Sequence, residues 1–174
     1  LEAAKALPAA YLREVFPDSE DELPDGWKWT TIRDVSVEIL TGPFGSTLHK
    51  SDYIEGGIPV INPSNLINGK VVAIPQMAIS ENTHKRLDAY WLQLGDIVFA
   101  RRGEMGRCAQ VTESEVGWVC GTGSLVIRLR PEHDSGFIQS YLTSSYSKHY
   151  FESNNVGSTM SNLNQKIVGS FPIG

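Results

Sequence analysis

Short apolar runs separated by glycine, proline and asparagine recur along most of the chain, which is typical of β-strands joined by turns. Residues 125–130 alternate, because Leu125 and Ile127 share one face whereas Arg128 lies on the other. This alternation predicts a half-buried strand that ends before Pro131. Four other runs predict strands at 58–61, 96–100, 108–111 and 118–120.

Three segments have the spacing of helices instead. Residues 135–151 repeat apolar positions three or four apart, after Asp134 or Ser135 as a candidate N-cap. Residues 161–168 predict a shorter helix, and the alanine-rich residues 1–16 predict a further one at the start. The whole pattern predicts an α+β fold, with a single mixed domain that has a bent, multi-stranded β-sheet and peripheral helices.

Charge divides the chain into an acidic start and a balanced body. Residues 17–26 are acidic and rich in turn formers, which predicts a linker and a domain over 27–174. The first 25 residues hold seven acidic and two basic residues, whereas the whole chain holds 20 and 15. The net charge of −5 therefore belongs to the start of the chain, and a local basic face on the body remains compatible with DNA binding.

Composition excludes several classes of protein. A hydrophobic share of 41% with a charged share of 20% indicates a folded chain. No apolar run approaches the roughly 20 residues of a membrane helix and no signal peptide is visible, so we expect no membrane partner and a cytoplasmic location. Cys108 and Cys120 are too few for a disulfide framework and are predicted to be buried thiols, and the histidines stand too far apart to predict a metal site.

No motif in the chain carries a complete catalytic constellation. Asn62-Pro63-Ser64 resembles the loop with which amino-methyltransferases hold an amine, but the second proline and the aromatic residue are missing. The glycine pairs at 103–106 and 121–124 are too short for a phosphate-binding loop. If the chain is an enzyme, its chemistry is not visible in this sequence.

The most distinctive segment is the basic turn within residues 94–109. A predicted strand reaches Arg101 and Arg102, and the chain returns after Arg107, which predicts a cationic tip opposed only by Glu104. Arginine donates paired hydrogen bonds to phosphate and to guanine, which favours contact with DNA. The alternative is that Arg102 or Arg107 pairs with Glu104 or with another neighbouring acid.

Polar side chains cluster in three further loops. Asparagine, glutamine, serine and threonine read base edges, but the same side chains also cap turns, so each loop has a purely structural interpretation as well. The candidate DNA-binding residues in these loops are Ser46, Thr47, His49, Lys50, Asn62, Ser64, Asn65, Ser158, Thr159, Asn162, Asn164 and Lys166, alongside Arg101, Arg102 and Arg107.

Three separated blocks of this sequence resemble the target recognition domain of type I restriction-modification specificity subunits. Their order and spacing also match, over residues 23–173. Residues 1–16 resemble the end of the long spacer helix that precedes such a domain. The blocks are 41–48 (TGPFGSTL) with 53–66 (YIEGGIPVINPSNL), then 94–107 (LGDIVFARRGEMGR), then 157–164 (GSTMSNLN).

The resemblance implies a domain that reads one half of a split DNA site and catalyses nothing itself. The implied partners are double-stranded DNA, a methyltransferase subunit, a restriction and motor subunit, and a second recognition domain. No cofactor is expected on this chain, because S-adenosylmethionine would bind to the methyltransferase that flips the target adenine. Since one recognition domain is present, we expect an excised domain or a truncated subunit, with a natural half-subunit that dimerises as the alternative.

Two other functions stay open at this point. The first is the recognition domain of a fused-type restriction system, in which cleavage and methylation are combined. The second is a protein interaction module, in which Trp27, Trp29 or Trp91 forms a partner surface and the arginines pair locally. We expect these tryptophans in the core instead. Salt dependence distinguishes the two classes, because only phosphate contacts weaken steeply as salt is added.

Overall fold

The computed structural model describes residues 22–104, 106–154 and 163–174. The predicted helix over 1–16 lies outside the described residues, as do Ser158, Thr159 and Asn162. The strands are β1 (Thr30–Thr31), β2 (Ser36–Thr41), β3 (Tyr53–Ile54), β4 (Ile58–Ile61), β5 (Leu66–Ile67), β6 (Lys70–Val71), β7 (Ala78–Ile79), β8 (Ile97–Ala100), β9 (Cys108–Gln110), β10 (Val119–Cys120), β11 (Ser124–Leu129) and β12 (Pro172–Ile173). The helices are α1 (Ile32–Val35), α2 (Glu81–Arg86), α3 (Ser135–Leu142), α4 (Ser145–Ser153) and α5 (Gln165–Gly169).

The strands form two four-stranded sheets and two short ribbons. The central sheet is antiparallel, with the order β2-β11-β8-β9. The second sheet has the order β10-β4-β7-β3, and its β10 and β4 are parallel. The ribbons pair β1 with β12 and β5 with β6. The predicted mixed α+β class is confirmed, with the strands divided among several sheets.

The central sheet is covered on both faces. Ile97 and Phe99 of β8 belong to the core cluster that includes residues of α3 and α4. Val98 and Ala100, which point the other way along the same strand, belong to a cluster that includes residues of the second sheet. A strand that is buried on both faces reads as a continuous apolar run, which explains the Ile-Val-Phe-Ala sequence of β8.

The prediction of a half-buried strand over 125–130 is wrong for its first half. Val126, which was expected on the outer face, is only 1% exposed because the second core cluster covers it. The strand becomes partly polar only at Arg128, which binds the buried carboxylate of Asp96 at 3.0 and 2.9 Å. β11 pairs with β2 on one side and with β8 on the other, so it is an interior strand of the sheet.

The predicted helix over 135–151 is two helices, with a break at Thr143 and Ser144. Asp134, one of the two candidate N-caps, caps the first helix, and the hydroxyl of Ser144 accepts a hydrogen bond from the backbone of Ser147 at 3.2 Å. Serine competes for backbone donors in this way and so starts a new helix inside an apparently continuous pattern. The helix predicted over 161–168 begins at Gln165 instead.

The tryptophans lie at the edges of the molecule, contrary to the prediction that they belong to the core. Trp27, Trp29 and Trp91 are 38%, 36% and 36% exposed. Trp91 donates its indole hydrogen to the carbonyl of His84 and stacks on that imidazole, which satisfies its polar group at the surface. Cys108 and Cys120 are buried free thiols as predicted, and burial raises the pKa of each to about 12.

Within the described ranges, no helix has the length and apolar character that crossing a membrane requires.

Candidate functional site

One end of the central sheet gathers the loops that the sequence singled out. Strands β2 and β8 end there and β11 begins there, because Thr41 pairs with Leu125 and Ala100 pairs with Ser124. Residue Cys108, at the start of β9, pairs with Phe99 at the same end. We name this surface the loop end, which comprises residues 42–52, 62–65, 101–104, 106–107, 121–123 and 163–166.

Backbone hydrogen bonds join these loops. Arg101 donates from its backbone nitrogen to Gly123 at 3.0 Å and accepts at its carbonyl from Leu163 at 3.0 Å. The amide oxygen of Asn62 accepts from the backbone of Gly123 at 3.3 Å. Segments that are far apart in sequence are therefore neighbours in the fold, including the described part of the last polar loop.

The three arginines do not project together, so the predicted cationic tip is wrong for Arg101. Its side chain is only 6% exposed, its Nε donates to the carbonyl of Leu163 at 2.9 Å, and its guanidinium lies 5.7 Å from the centre of the Phe44 ring. Burial, with a smaller contribution from the charge of Arg102, lowers the pKa of Arg101 below its usual value. The turn after β8 directs Arg101 inward, and the next residue, Arg102, is exposed.

Arg107 has an intermediate position. Its side chain is 31% exposed, its Nη1 donates to the carbonyl of Pro63 at 3.0 Å, and its Nε lies 4.0 Å from a carboxylate oxygen of Glu104. The local pairing that was the alternative for this arginine therefore occurs, although at the limit of an ion pair. Part of the guanidinium still faces solvent.

Loop 42–52 presents the polar residues that the sequence predicted. Ser46, His49 and Lys50 are exposed, whereas Thr47 is half-buried and its carbonyl accepts from Arg86 at 2.7 Å. The carboxylate of Asp52 accepts from the backbone of His49 at 2.7 Å and pairs with Arg86 at 3.2 Å. These donors lower the pKa of Asp52, with the backbone hydrogen bond as the largest cause.

Loop 62–65 is mainly structural. Asn65 is fully buried, its amide oxygen accepts from the backbone of Asn62 at 3.0 Å, and its amide nitrogen donates to Val72 at 2.8 Å. The fold uses Asn62 in the same way, since its side chain also holds the 121–123 loop. The burial of its side chain favours the structural interpretation of Asn65 that was weighed from the sequence. Ser64 is exposed.

Segment 163–166 borders a groove of about 460 Å³ that Thr41, Phe44 and Arg101 line from the opposite side. Asn164 caps α5 through a hydrogen bond from the backbone of Ile167 at 2.9 Å, which is the structural role weighed for it from the sequence. Its neighbours Gln165 and Lys166 are exposed and line the same groove.

A second cleft, of about 510 Å³, lies between the β5–β6 hairpin, the basic turn and the α3–α4 junction. Arg107 and Lys148 line it, together with Glu104. Asn68 and Gly69 form the hairpin turn with φ angles of 51° and 73°, the left-handed conformation that Asn-Gly favours. Lys148 was not predicted from the sequence, although the Asn-Gly pair was a signal for the hairpin that borders this cleft.

The two ends of the central sheet differ in charge. The loops of the loop end contain five basic residues and two acidic ones. At the opposite end, the segment 27–35 that leads into β2 and the loops 93–96, 111–117 and 130–134 contain three basic residues and six acidic ones. Among the residues that the structure describes, no group of histidine, cysteine and carboxylate side chains has the arrangement of a metal site. The loop end therefore suits an extended anionic partner.

Comparison with known proteins gives a family match over most of the chain. Residues 24–174 match the model of the type I restriction modification DNA specificity domain. A structure described as the basis of complex assembly and conformational transition of the type I R-M system is similar with a TM-score of 0.72 and 20% identity. The similarity covers 99% of this chain and 40% of that one.

Two further solved structures are similar. The HsdS subunit from Thermoanaerobacter tengcongensis has a TM-score of 0.69 at 19% identity, over 99% of this chain and 38% of that subunit. The S subunit of the type I restriction-modification system from M. genitalium has a TM-score of 0.56 at 19% identity, over 88% of this chain and 36% of that subunit. The chain thus spans well under half the length of these structures, and the likeness establishes the fold.

Proposed function

The chain belongs to the family of type I restriction modification DNA specificity domains, and on that premise we propose that it binds double-stranded DNA through the loop end and reads one half of a split recognition site. The family membership confirms the resemblance drawn from the sequence blocks. A protein interaction module without DNA readout is not favoured by it. The observation that carries the proposed location is the concentration of basic and exposed polar side chains at one end of the central sheet, opposite an acidic end.

The exposed residues of the loop end form two groups with different roles. Lys50, Arg102 and Lys166 are exposed cations and are proposed to set the position of the domain on the phosphates. Exposed short polar side chains, including those of Ser46 and Ser64, are proposed to contact base edges. His49, Thr47, Asn164 and Arg107 remain candidates through the parts of their side chains that face solvent.

A third group supports the interface from within. Asn62, Asn65 and Arg101 hold the loops together by side-chain hydrogen bonds to backbone groups, so their substitution would alter DNA binding through the fold. Loops that are already ordered lose less conformational entropy when they bind. These residues are proposed as positioning residues for the DNA-reading loops.

We also propose the assembly that the family implies. In it, a methyltransferase subunit with S-adenosylmethionine modifies the adenine, a restriction subunit cleaves DNA, and a second recognition domain reads the other half-site in the cytoplasm. The loop end leaves the opposite end of the central sheet available for such partners. The proposed boundaries are a spacer helix over 1–16, a linker over 17–26 and the recognition domain over 27–174.

The location of the interface is tested by the salt dependence of DNA binding. The double variant Arg102→Gln and Lys166→Gln removes two exposed charges from the loop end, whereas Lys28→Gln removes one from the opposite end. Affinity falls as salt is added, and each lost phosphate contact makes the plot of log K against log salt less steep by about 0.9. We therefore expect a plot less steep by about 1.8 for the double variant and an unchanged slope for Lys28→Gln. Equal slopes in the three proteins, measured by fluorescence anisotropy on one duplex, would contradict the proposed location.

A further inference from the structure

Phe44 is an exposed aromatic residue in the middle of the loop end. Its side chain is 61% exposed, whereas the other phenylalanines of the described ranges are buried or half-buried. The turn that presents it is well defined, because the carbonyl of Phe44 accepts from the backbone of Thr47 at 2.7 Å and Gly42 donates to Ser124 at 3.1 Å. The turn therefore presents an exposed aromatic ring among the polar residues of the loop end.

The guanidinium of Arg101 packs against the ring of Phe44. Its guanidinium lies 5.7 Å from the ring centre, within the range of a cation–π contact, and its own position is determined by the hydrogen bond to Leu163. Arg101 is therefore a positioning residue for Phe44. The rest of the ring surface remains available at the groove.

Gln165 lies on the other side of the same groove. The groove of about 460 Å³ is lined by Phe44, Gln165 and Lys166, with Gln165 and Lys166 exposed. A glutamine amide forms a bidentate pair with adenine in the major groove, because its nitrogen donates to N7 while its oxygen accepts from the N6 amino group. An apolar side chain contacts the methyl group of thymine. Phe44 and Gln165 thus supply the two chemistries that distinguish an A·T pair.

We propose that Phe44 and Gln165 read an A·T base pair or step in the major groove, with Phe44 on the thymine methyl group and Gln165 on the adenine. This inference rests on the proposed function and adds two specificity-determining residues to it. Lys166, beside them, contacts the neighbouring phosphate. The selected DNA site then contains thymine and adenine at the position that this groove covers.

The test changes one chemical group of the DNA at a time. Each thymine of a duplex selected by the wild-type chain is exchanged for deoxyuridine, which lacks the methyl group, and each adenine for 7-deazaadenine, which lacks N7. At one thymine we expect wild-type affinity to fall about fourfold, the effect of one apolar carbon leaving a buried contact. Phe44→Ala should bind both forms of that duplex equally, and Phe44→Leu should restore part of the difference. Gln165→Ala should lose the response to deazaadenine.

The controls separate this inference from the proposed function. Val37 lies at the opposite end of the central sheet and is 64% exposed, so Val37→Ala is the matched apolar substitution. We expect it to leave the response to deoxyuridine unchanged. A wild-type chain that selects no sequence contradicts the proposed function and this inference together. If the wild type selects a sequence but deoxyuridine changes its affinity by the same factor as that of Phe44→Ala, the A·T assignment alone is contradicted.

Discussion

Arg101 gives the sharpest prediction on stability, because the sequence suggests a DNA contact and the structure shows a buried anchor. Arg101→Ala removes a side chain that is 6% exposed, its hydrogen bond to the carbonyl of Leu163 and its contact with the Phe44 ring. Arg102→Ala removes an exposed guanidinium from the next position. The pair therefore compares a buried and an exposed arginine in the same turn.

The expected magnitude follows from those contacts. A hydrogen bond to a charged group contributes about 1.5–3 kcal/mol net, and the buried aliphatic part of the side chain adds to it at about 0.8 kcal/mol per methylene. Desolvation of the guanidinium, which also lowers its pKa, offsets part of this gain. We expect Arg101→Ala to lower the free energy of unfolding by about 2–3 kcal/mol, and Arg102→Ala by no more than about 0.5 kcal/mol.

Urea denaturation followed by far-UV circular dichroism measures this difference at neutral pH. A domain of this size loses roughly 2–4 °C of melting temperature per kcal/mol, so a thermal melt should show Arg101→Ala lower by about 4–12 °C. Arg101→Met keeps most of the aliphatic stem and should lie between the wild type and Arg101→Ala. Equal stability of Arg101→Ala and Arg102→Ala would refute the role of Arg101 as an internal anchor.

Three further predictions concern other parts of the molecule. Asp96→Ala removes a carboxylate that is 1% exposed from the half-buried guanidinium of Arg128 and should lower the free energy of unfolding, measured by urea denaturation, by about 3 kcal/mol. An unchanged urea midpoint would contradict a stabilising role for this ion pair. Lys148→Gln should lower the salt slope of DNA binding by about 0.9 while Lys28→Gln leaves it unchanged, and a slope equal to the wild type would exclude the second cleft from the interface. Cys108 and Cys120, whose pKa burial raises to about 12, should resist iodoacetamide at pH 8 until urea is added, and rapid labelling of the native chain, detected by mass spectrometry, would contradict their burial.

Five strands of the fold, β4, β8, β9, β10 and β11, were predictable from the sequence, whereas others, such as β2 of the central sheet, were not. The runs at 58–61, 96–100, 108–111 and 118–120 each contain an observed strand, because short apolar segments bounded by turn formers have few other stable conformations. The sequence could not predict how many sheets they form. Sheet order depends on long-range pairing, such as the parallel contact of β10 with β4, which leaves no local pattern.

The errors in the fold arose where tertiary packing or local hydrogen bonds override periodicity. Val126 follows the alternation of an outer face, yet a second core covers it. The spacing over 135–151 is helical throughout, but Ser144 caps a new helix within it. Tryptophans such as Trp91 are amphipathic, so a polar partner for the indole allows them to remain at the edge.

The candidate site was predictable as a set of segments but not residue by residue. The polar loops and the basic turn converge on one end of the central sheet, and their blocks in the sequence indicated the family. Exposure was not predictable, since Arg101 and Arg102 are adjacent in sequence and differ in burial. Phe44 was missed because an aromatic residue between glycines reads as part of a turn, and only the structure shows that its ring is exposed.

Sequence-specific recognition of DNA by the loop end can be measured by selection from random duplex DNA. The chain is incubated with a duplex pool at low salt, and the retained DNA is sequenced for the wild type and for the Arg102→Gln and Lys166→Gln double variant. We expect the wild type to enrich one short motif, the double variant to retain less DNA, and Lys28→Gln to match the wild type. Retention without enrichment, or no retention in the presence of the methyltransferase subunit, would contradict such recognition.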